Sequence, residues 1–147
     1  MGRYFEEFEV GEEIVSPGRT VTEADVVNFA GLSGDYNPLH TDEEYAKGTM
    51  FGKRIAHGLL GLAITSGLRA RTGVLDGTGL AFLDLKLTFK GPIFINDTLT
   101  MKMKVKEKRE TKKPDRGIII MDVDLLNQDG DVVQVSEHTL MVARKKK

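Results

Sequence analysis

The chain has 147 residues, no cysteine, and a formal net charge of −1 from 21 basic and 22 acidic side chains. This length predicts one domain over residues 1–147, with a core large enough to be stable without disulfides or a structural metal. Without cysteine there are no disulfides or thiolate metal sites, and the balanced charge lacks the basic excess typical of nucleic-acid binders. The first ten residues are polar and acidic, unlike a secretory leader, and no apolar run is long enough for a bilayer. We therefore expect a cytoplasmic protein that binds neither nucleic acid nor membrane, with the basic tail at 144–147 solvated.

The first half of the chain predicts two short capped helices with a loop between them. A helix is expected over 22–32, since Thr22 can cap it and Asp25 stands three residues on. Thr41 with Glu44 repeats this pattern and predicts a second short helix. The segment 33–40 is expected to be a compact loop, because Pro38 disfavours a helix there.

A third helix, over 57–71, differs in kind from the first two. It is apolar almost all round, which predicts a buried helix, and its glycines at 58, 61 and 67 predict close packing against other backbone. From Leu80 onward the apolar residues alternate, which predicts strands with one solvated face. The strands are expected near 80–90, 99–106, 119–125 and 133–142, with a possible edge strand over 12–19. One buried helix wrapped by an antiparallel sheet is an α+β architecture, the hot-dog fold.

The segment from Gly34 to His40 contains the residues best suited to chemistry. A tight loop can bring the carboxylate of Asp35 and the imidazole of His40 to one point, and Asn37 can brace it by side-chain to backbone hydrogen bonds. An aspartate and a histidine converging on one water form a general acid–base pair. From spacing alone, a turn aspartate and a merely hydrogen-bonded histidine remain the alternative.

The start of the third helix offers a second candidate group. Its first backbone N–H groups lack partners within the helix, so the N–H of Gly58 could stabilise an enolate oxygen; simple close packing is the alternative. For His57 a structural role is favoured, and Ser66 either bonds back to its own helix or meets Asp35 or the water. No function is assigned to His138. Scattered histidines and the absence of nucleotide-binding motifs predict neither a metal nor a cofactor.

The run Phe29-Ala-Gly-Leu-Ser-Gly-Asp-Tyr-Asn-Pro-Leu-His40, with Ala46 beyond it, resembles the signature of MaoC-like dehydratases, also called hydratase 2. The likeness covers roughly 20–142 and includes the Ala-His-Gly at 56–58. It implies a hot-dog homodimer, or a dimer of dimers, with an acyl thioester entering at the subunit interface. It also implies that Asp35 and His40 hold the catalytic water, that Asn37 helps place it, and that the Gly58 amide is the oxyanion donor. The implied reaction is reversible syn addition of water to a trans-2-enoyl-CoA, giving the (3R)-hydroxyacyl-CoA.

Several rival functions share this fold. A dehydratase acting on 3-hydroxyacyl groups of acyl carrier protein uses the same chemistry, and Lys53 and Arg54 are expected to bind either that carrier or the CoA phosphates. Many hot-dog thioesterases carry a catalytic carboxylate on the central helix. A thioesterase is therefore disfavoured, because the helix segment 59–68 has no acidic residue. A non-catalytic acyl-CoA-binding module would need no Asp35–His40 pair.

Overall fold

The structure, a computed structural model, describes residues 1–146. These residues form a 3₁₀ turn, four α-helices and six strands. In chain order after the turn at Phe5–Glu7 they are β1 (Glu13–Val15), β2 (Arg19–Thr20), α1 (Glu23–Ser33), α2 (Pro38–Thr41), α3 (Glu43–Lys47), α4 (Gly58–Arg71), β3 (Gly79–Phe89), β4 (Thr98–Glu110), β5 (Arg116–Leu126) and β6 (Val132–Ala143). No helix within 1–146 is both long and apolar enough to cross a membrane.

The strands form one antiparallel sheet in the order β1-β4-β5-β6-β3, with β2 pairing farther along β4. Alternate residues of β4 and β5 are buried, as their period of two predicts. Three methionines on these strands, Met101, Met103 and Met121, have no exposed surface. They share one core with the buried side of α4, which contributes Leu60, Ile64 and Leu68. The predicted α+β architecture of a long helix against an antiparallel sheet is therefore confirmed.

The exposure of α4 and β3 departs from the prediction. α4 is buried on one side only: Leu59 is 59% exposed, and Ser66 is also exposed. β3 is exposed along almost its whole length rather than on one face, since it lies at the end of the sheet and pairs only with β6. These neighbouring elements leave a set of large apolar side chains uncovered, consisting of Leu59, Leu80, Phe82, Leu83, Leu85 and Phe89.

The predicted helix start was right for α1 and wrong for α3. Thr22 caps α1: its Oγ1 accepts from the Asp25 N–H at 3.2 Å, and Asp25 Oδ2 accepts from the Thr22 N–H at 2.8 Å. Asp42, not Thr41, caps α3 and accepts from the Tyr45 N–H at 2.9 Å. The Thr41 hydroxyl instead donates to the carbonyls of residues 36 and 37, because Thr41 itself ends α2.

The segments near both chain ends differ in structure from the expectation. The expected edge strand over 12–19 is two short strands, β1 and β2. The basic tail is not simply solvated, because Arg144 pairs with Glu6 and Glu110 and lies over the ring of Phe5. Lys147, also part of that expectation, lies outside the described residues.

Candidate active site

The loop between α1 and α2 places Asp35 and His40 on the same cavity. Gly34 ends α1 in the left-handed conformation, with φ of 75°, which turns the chain away from the helix axis. Asp35 Oδ1 then accepts from the Asn37 N–H at 3.1 Å, and Asn37 Oδ1 accepts from the Leu39 N–H at 3.0 Å. Pro38 occupies the first position of α2, where no N–H is needed, so the predicted absence of a helix was wrong at this point.

Two buried histidines stack beside Asp35. The ring centroids of His40 and His57 lie 3.9 Å apart at an angle of 28°, and Phe29 packs against His57 at 4.9 Å. His40 Nδ1 donates to the carbonyl of Ile55 at 2.7 Å. A carbonyl only accepts, so the neutral ring has its proton on Nδ1 and presents Nε2 as an acceptor.

The ring of His57 is held through its other nitrogen. Its Nε2 donates to the backbone carbonyl of Asp35 at 2.9 Å, which ties the start of α4 to the loop between α1 and α2. Its Nδ1 is then an acceptor, and this atom is buried without a partner among residues 1–146. His57 therefore holds the loop in place, in agreement with the structural role favoured by the sequence, and it also borders the site.

Asp35, His40 and His57 each direct one nitrogen or oxygen to a common region. These atoms lie within 4.8 Å of one another. Hydrogen bonding leaves the two rings with acceptor nitrogens, and an ionised Asp35 is also an acceptor. The two O–H groups of a water can satisfy two of these three acceptors, and the same set has the spacing of a cation site.

The cavity in front of this cluster has a volume of about 780 Å³. Asp35, His40, His57 and Gly58 line it at one side, and Asp35 itself is exposed. Most of the remaining lining is apolar, with Phe29, Met50, Phe51, Leu59, Phe89, Pro92 and Ile93 among it. A few convergent polar groups in an apolar cavity of this size are typical of a small-molecule site.

Gly58 begins α4 at the edge of the cavity. A Cβ at this position would lie 2.5 Å from Cε1 of Phe89, so close packing does require a glycine. The packing alternative is thus supported, and it does not compete with a role for the N–H, which is one of the first-turn donors without a helical partner. Gln134 of β6 holds the same turn, because its Nε2 donates to the carbonyl of Gly58 at 2.7 Å.

The remaining predicted site residues do not join this cluster. Asn37 caps α2 and does not line the cavity. Ser66 lines a separate pocket farther along α4. Neither Lys53 nor Arg54 lines the cavity either: Lys53 Nζ lies 4.4 Å from the ring centroid of Phe94, and Arg54 pairs with Glu23 and Glu43 at 2.8 Å each.

Among the lining residues that sequence reasoning missed are Phe89, Lys90 and Gln134. Gln134 carried a usable signal, since a glutamine adjoining buried Val133 in a strand needs a partner for its amide. Phe89 and Lys90 lie at the end of β3, where alternation alone does not reveal which residues reach the helix.

The fold and site resemble those of known proteins. A Mycobacterium tuberculosis protein with a double hot-dog fold superposes with a TM-score of 0.83 at 19% identity, over 99% of this chain and 46% of that one. The hot-dog fold is thus confirmed. Residues 7–123 match the family described as MaoC like domain, and the chain belongs to this family.

Two individual comparisons extend this result. A relative from Rhodospirillum rubrum named (R)-specific enoyl-CoA hydratase is 41% identical over 97 residues, which are 66% of this chain and 65% of the relative. The match thus spans just under two thirds of that relative's length. A crystal structure of a MaoC-like dehydratase from Rhodospirillum rubrum has a TM-score of 0.91 and 33% identity, over 99% of this chain and all of the other, 100%.

Proposed function

We propose that the protein is an (R)-specific enoyl-CoA hydratase, which reversibly adds water to a trans-2-enoyl-CoA and forms the (3R)-hydroxyacyl-CoA. The observation that carries this proposal is the convergence of Asp35 and His40 at an apolar cavity, with His40 Nδ1 held by a carbonyl so that Nε2 is the acceptor. Membership of the MaoC-like family and the likeness to a relative of that name support it. No cofactor is needed, because hydration is proton transfer and addition alone.

In the proposed mechanism, Asp35 and His40 hold one water between them. As the water oxygen bonds to C3 of the enoyl group, His40 Nε2 takes one of its protons, and the electron pair of the double bond moves to the thioester oxygen. The resulting enolate collapses and C2 takes a proton from the Asp35–His40 pair. The sum is H on C2 and OH on C3. Since one pair delivers both, they add to the same face of the double bond.

The enolate oxygen needs a hydrogen-bond donor, and the N–H of Gly58 is our candidate. Gly58 lines the cavity at the N-terminal end of α4, where the helix dipole also favours negative charge. The carbonyl of Gly58 is fixed by Gln134, so the peptide next to this donor is held in one orientation. Removing one such donor from an enzyme costs about 10²–10³-fold in turnover. We retain Asn37 only as a support for the loop that presents Asp35.

A second copy of the chain is proposed to cover α4 and β3. β3 lies at the end of the sheet, so the backbone groups on its outer side have no strand partner, and apolar side chains surround it. An antiparallel copy related by a two-fold axis satisfies both features. Leu83→Lys on β3 should therefore reduce the mass measured by sedimentation to that of one chain, whereas Val15→Lys on the opposite edge strand should not. A single-chain mass for the unchanged protein would contradict the dimer.

The experiment that tests the proposed reaction follows the ultraviolet absorbance of the conjugated thioester. Crotonyl-CoA and trans-2-octenoyl-CoA are added in turn, and the product is resolved on a chiral column. We expect loss of absorbance with formation of the (3R) alcohol. Release of free thiol instead would show a thioesterase. Hydration only when the acyl group is carried by acyl carrier protein would show the carrier-protein dehydratase.

A location in the cytoplasm remains a prediction from composition.

A further inference from the structure

A second pocket, of about 330 Å³, lies along the same helix as the active site. α4 contributes Ser66, Arg69 and Ala70 to it, β3 contributes 79–82, and β6 contributes Leu140 and Met141. Leu59, which lines the first cavity, is seven residues before Ser66 and eleven before Ala70, so all three lie on one face of α4. From Gly58 to Ser66 the helix rises by about 12 Å.

Arg69 is the only basic side chain of this second pocket. Its Nη1 donates to Nδ1 of His138 at 2.9 Å, and its guanidinium lies over the ring of Phe82, 5.0 Å from the centroid. Within residues 1–146 it forms no salt bridge and no other side-chain hydrogen bond, although Asp76 lines the same pocket. Most of its N–H donors are therefore unused.

His138 is positioned to hold Arg69 and not to neutralise it. Burial, together with the neighbouring Arg69, lowers the pKa of His138 to about 4, so the ring is neutral at neutral pH. Its Nδ1 accepts from Arg69, and its Nε2 is within 2.8 Å of the Ser136 hydroxyl, which must then accept. Both nitrogens are engaged, and the guanidinium keeps a full positive charge at a half-buried place without an acidic partner.

A half-buried, unpaired guanidinium is costly in a fold unless an anion comes to it. Arginine is the side chain best suited to a carboxylate, because its planar donors match both oxygens. Apolar side chains line both pockets, with Leu59 at the first cavity and Leu80, Phe82 and Met141 beside Arg69. A hydrocarbon chain ending in a negative group fits such a lining.

We infer that Arg69 binds a carboxylate at the distal end of the acyl chain, so that the preferred substrates are enoyl thioesters carrying a second acid group. This inference rests on the proposed hydratase function. The thioester lies at Gly58, the chain follows the face of α4 that the proposed second copy covers, and the terminal carboxylate meets the guanidinium.

The test compares kcat/KM for paired substrates of equal length, from trans-2-hexenoyl-CoA to trans-2-dodecenoyl-CoA, with and without a terminal carboxylate. The readout is the ratio of carboxylated to uncharged substrate. We expect a preference for the carboxylated member at one chain length. Arg69→Met should lower that ratio by about 10-fold or more, since a hydrogen bond to a charged group is lost, and Arg69→Lys should lower it less. Arg71→Met is the matched control, because Arg71 is exposed on the same helix and lines neither pocket, so the ratio should not change.

The same ratios measured with pantetheine thioesters distinguish the two possible anions. If the effect of Arg69→Met persists without the nucleotide, the carboxylate is its ligand. If Arg69→Met instead weakens both members of a CoA pair equally and neither pantetheine thioester, Arg69 binds a CoA phosphate and the inference is wrong. The inference is also wrong if the unchanged enzyme hydrates uncharged chains and prefers no carboxylated substrate. That result would leave the proposed hydratase function intact. Failure to hydrate any thioester would overturn the hydratase itself. Should Arg69→Met not fold, the unchanged enzyme and Arg69→Lys still decide.

Discussion

The two ends of α4 use buried histidines in opposite ways. At the first turn, His40 and His57 each donate to a backbone carbonyl, which leaves one acceptor nitrogen free on each ring. Near the last turn, His138 accepts from Arg69 and donates to Ser136, so neither of its nitrogens is free. A histidine with a free nitrogen near water can move a proton, whereas one with both nitrogens engaged can only orient a neighbour. The environment of the ring, and not the residue type, therefore decides whether a nitrogen is left free, as the proposed acid–base role requires at one end, or fully engaged, as at the other.

The largest expected effect comes from the end that moves protons. Asp35→Asn keeps an oxygen for the Asn37 N–H, and His40→Asn keeps a donor that can reach Ile55, so the loop should survive both changes. Each should lower turnover by about 10²-fold or more, since the general acid–base pair is lost. Hydration rates measured beside the exposed control Asp131→Asn check this. Near-normal rates in either variant would remove the assigned role.

At the other end of α4, His138 should affect the free energy of unfolding rather than turnover. The folded pKa of His138, about 4, is below the ordinary histidine value of 6.5, so between these pH values only the unfolded chain binds the proton. Stability should therefore fall as the pH drops from about 6.5 to about 4 and change no further from this group below that, by about 3 kcal/mol in all. Urea unfolding of the protein and of His138→Gln at several pH values isolates this contribution. Parallel pH curves for the two proteins would contradict it.

The glycines of α4 offer a smaller and more local comparison. A Cβ at Gly61 would lie 2.4 Å from Nε2 of Gln134, whereas one at Gly67 would meet nothing within 4 Å. Gly61→Ala should therefore destabilise the fold by about 1–3 kcal/mol through overpacking. Gly67→Ala should stabilise it by up to about 1 kcal/mol through helix propensity. Chemical unfolding measures both. An equal loss for Gly67→Ala would contradict this and would mean that the proposed second copy packs tightly against α4 at Gly67 itself.

The smallest expected effect is that of a chelator. Although Asp35, His40 and His57 have the spacing of a cation site, the proposed reaction needs only a water there. Turnover after dialysis against EDTA should equal turnover before it. A loss that added Zn²⁺ restores would mean that a metal holds the water.

Much of the fold could be predicted from periodicity. The alternation of apolar residues located β4, β5 and β6, because both sides of each of these strands are paired or packed within the chain. Thr22 with Asp25 located the start of α1, because capping depends on residues close in sequence. The exposure of β3 and of one face of α4 could not be predicted, since it depends on which strand ends the sheet.

The candidate site was predictable only where the chain brings its own residues together. Asp35 and His40 are only five residues apart, in the loop after α1 and in the short α2 that follows, so a local pattern placed them at one cavity, although their catalytic roles remain predictions. Gln134 reaches Gly58 across 76 residues, and Arg69 reaches His138 across 69, and no local pattern encodes such contacts. Lys53 and Arg54 do not line the cavity and are engaged by Phe94, Glu23 and Glu43, contacts that no local pattern shows; their binding of a carrier protein or of the CoA phosphates stays a prediction.

The methionines of this chain divide sharply in their exposure to oxidants. Met101, Met103 and Met121 have no exposed surface, so peroxide can reach them only when the sheet opens. Met50 is 92% exposed and lines the active-site cavity. Conversion of its thioether to the sulfoxide would place a polar group on an otherwise apolar wall while leaving the core untouched. Apart from the terminal Met1, which is 97% exposed, oxidation would therefore alter the cavity wall at Met50 before it reaches the three core methionines.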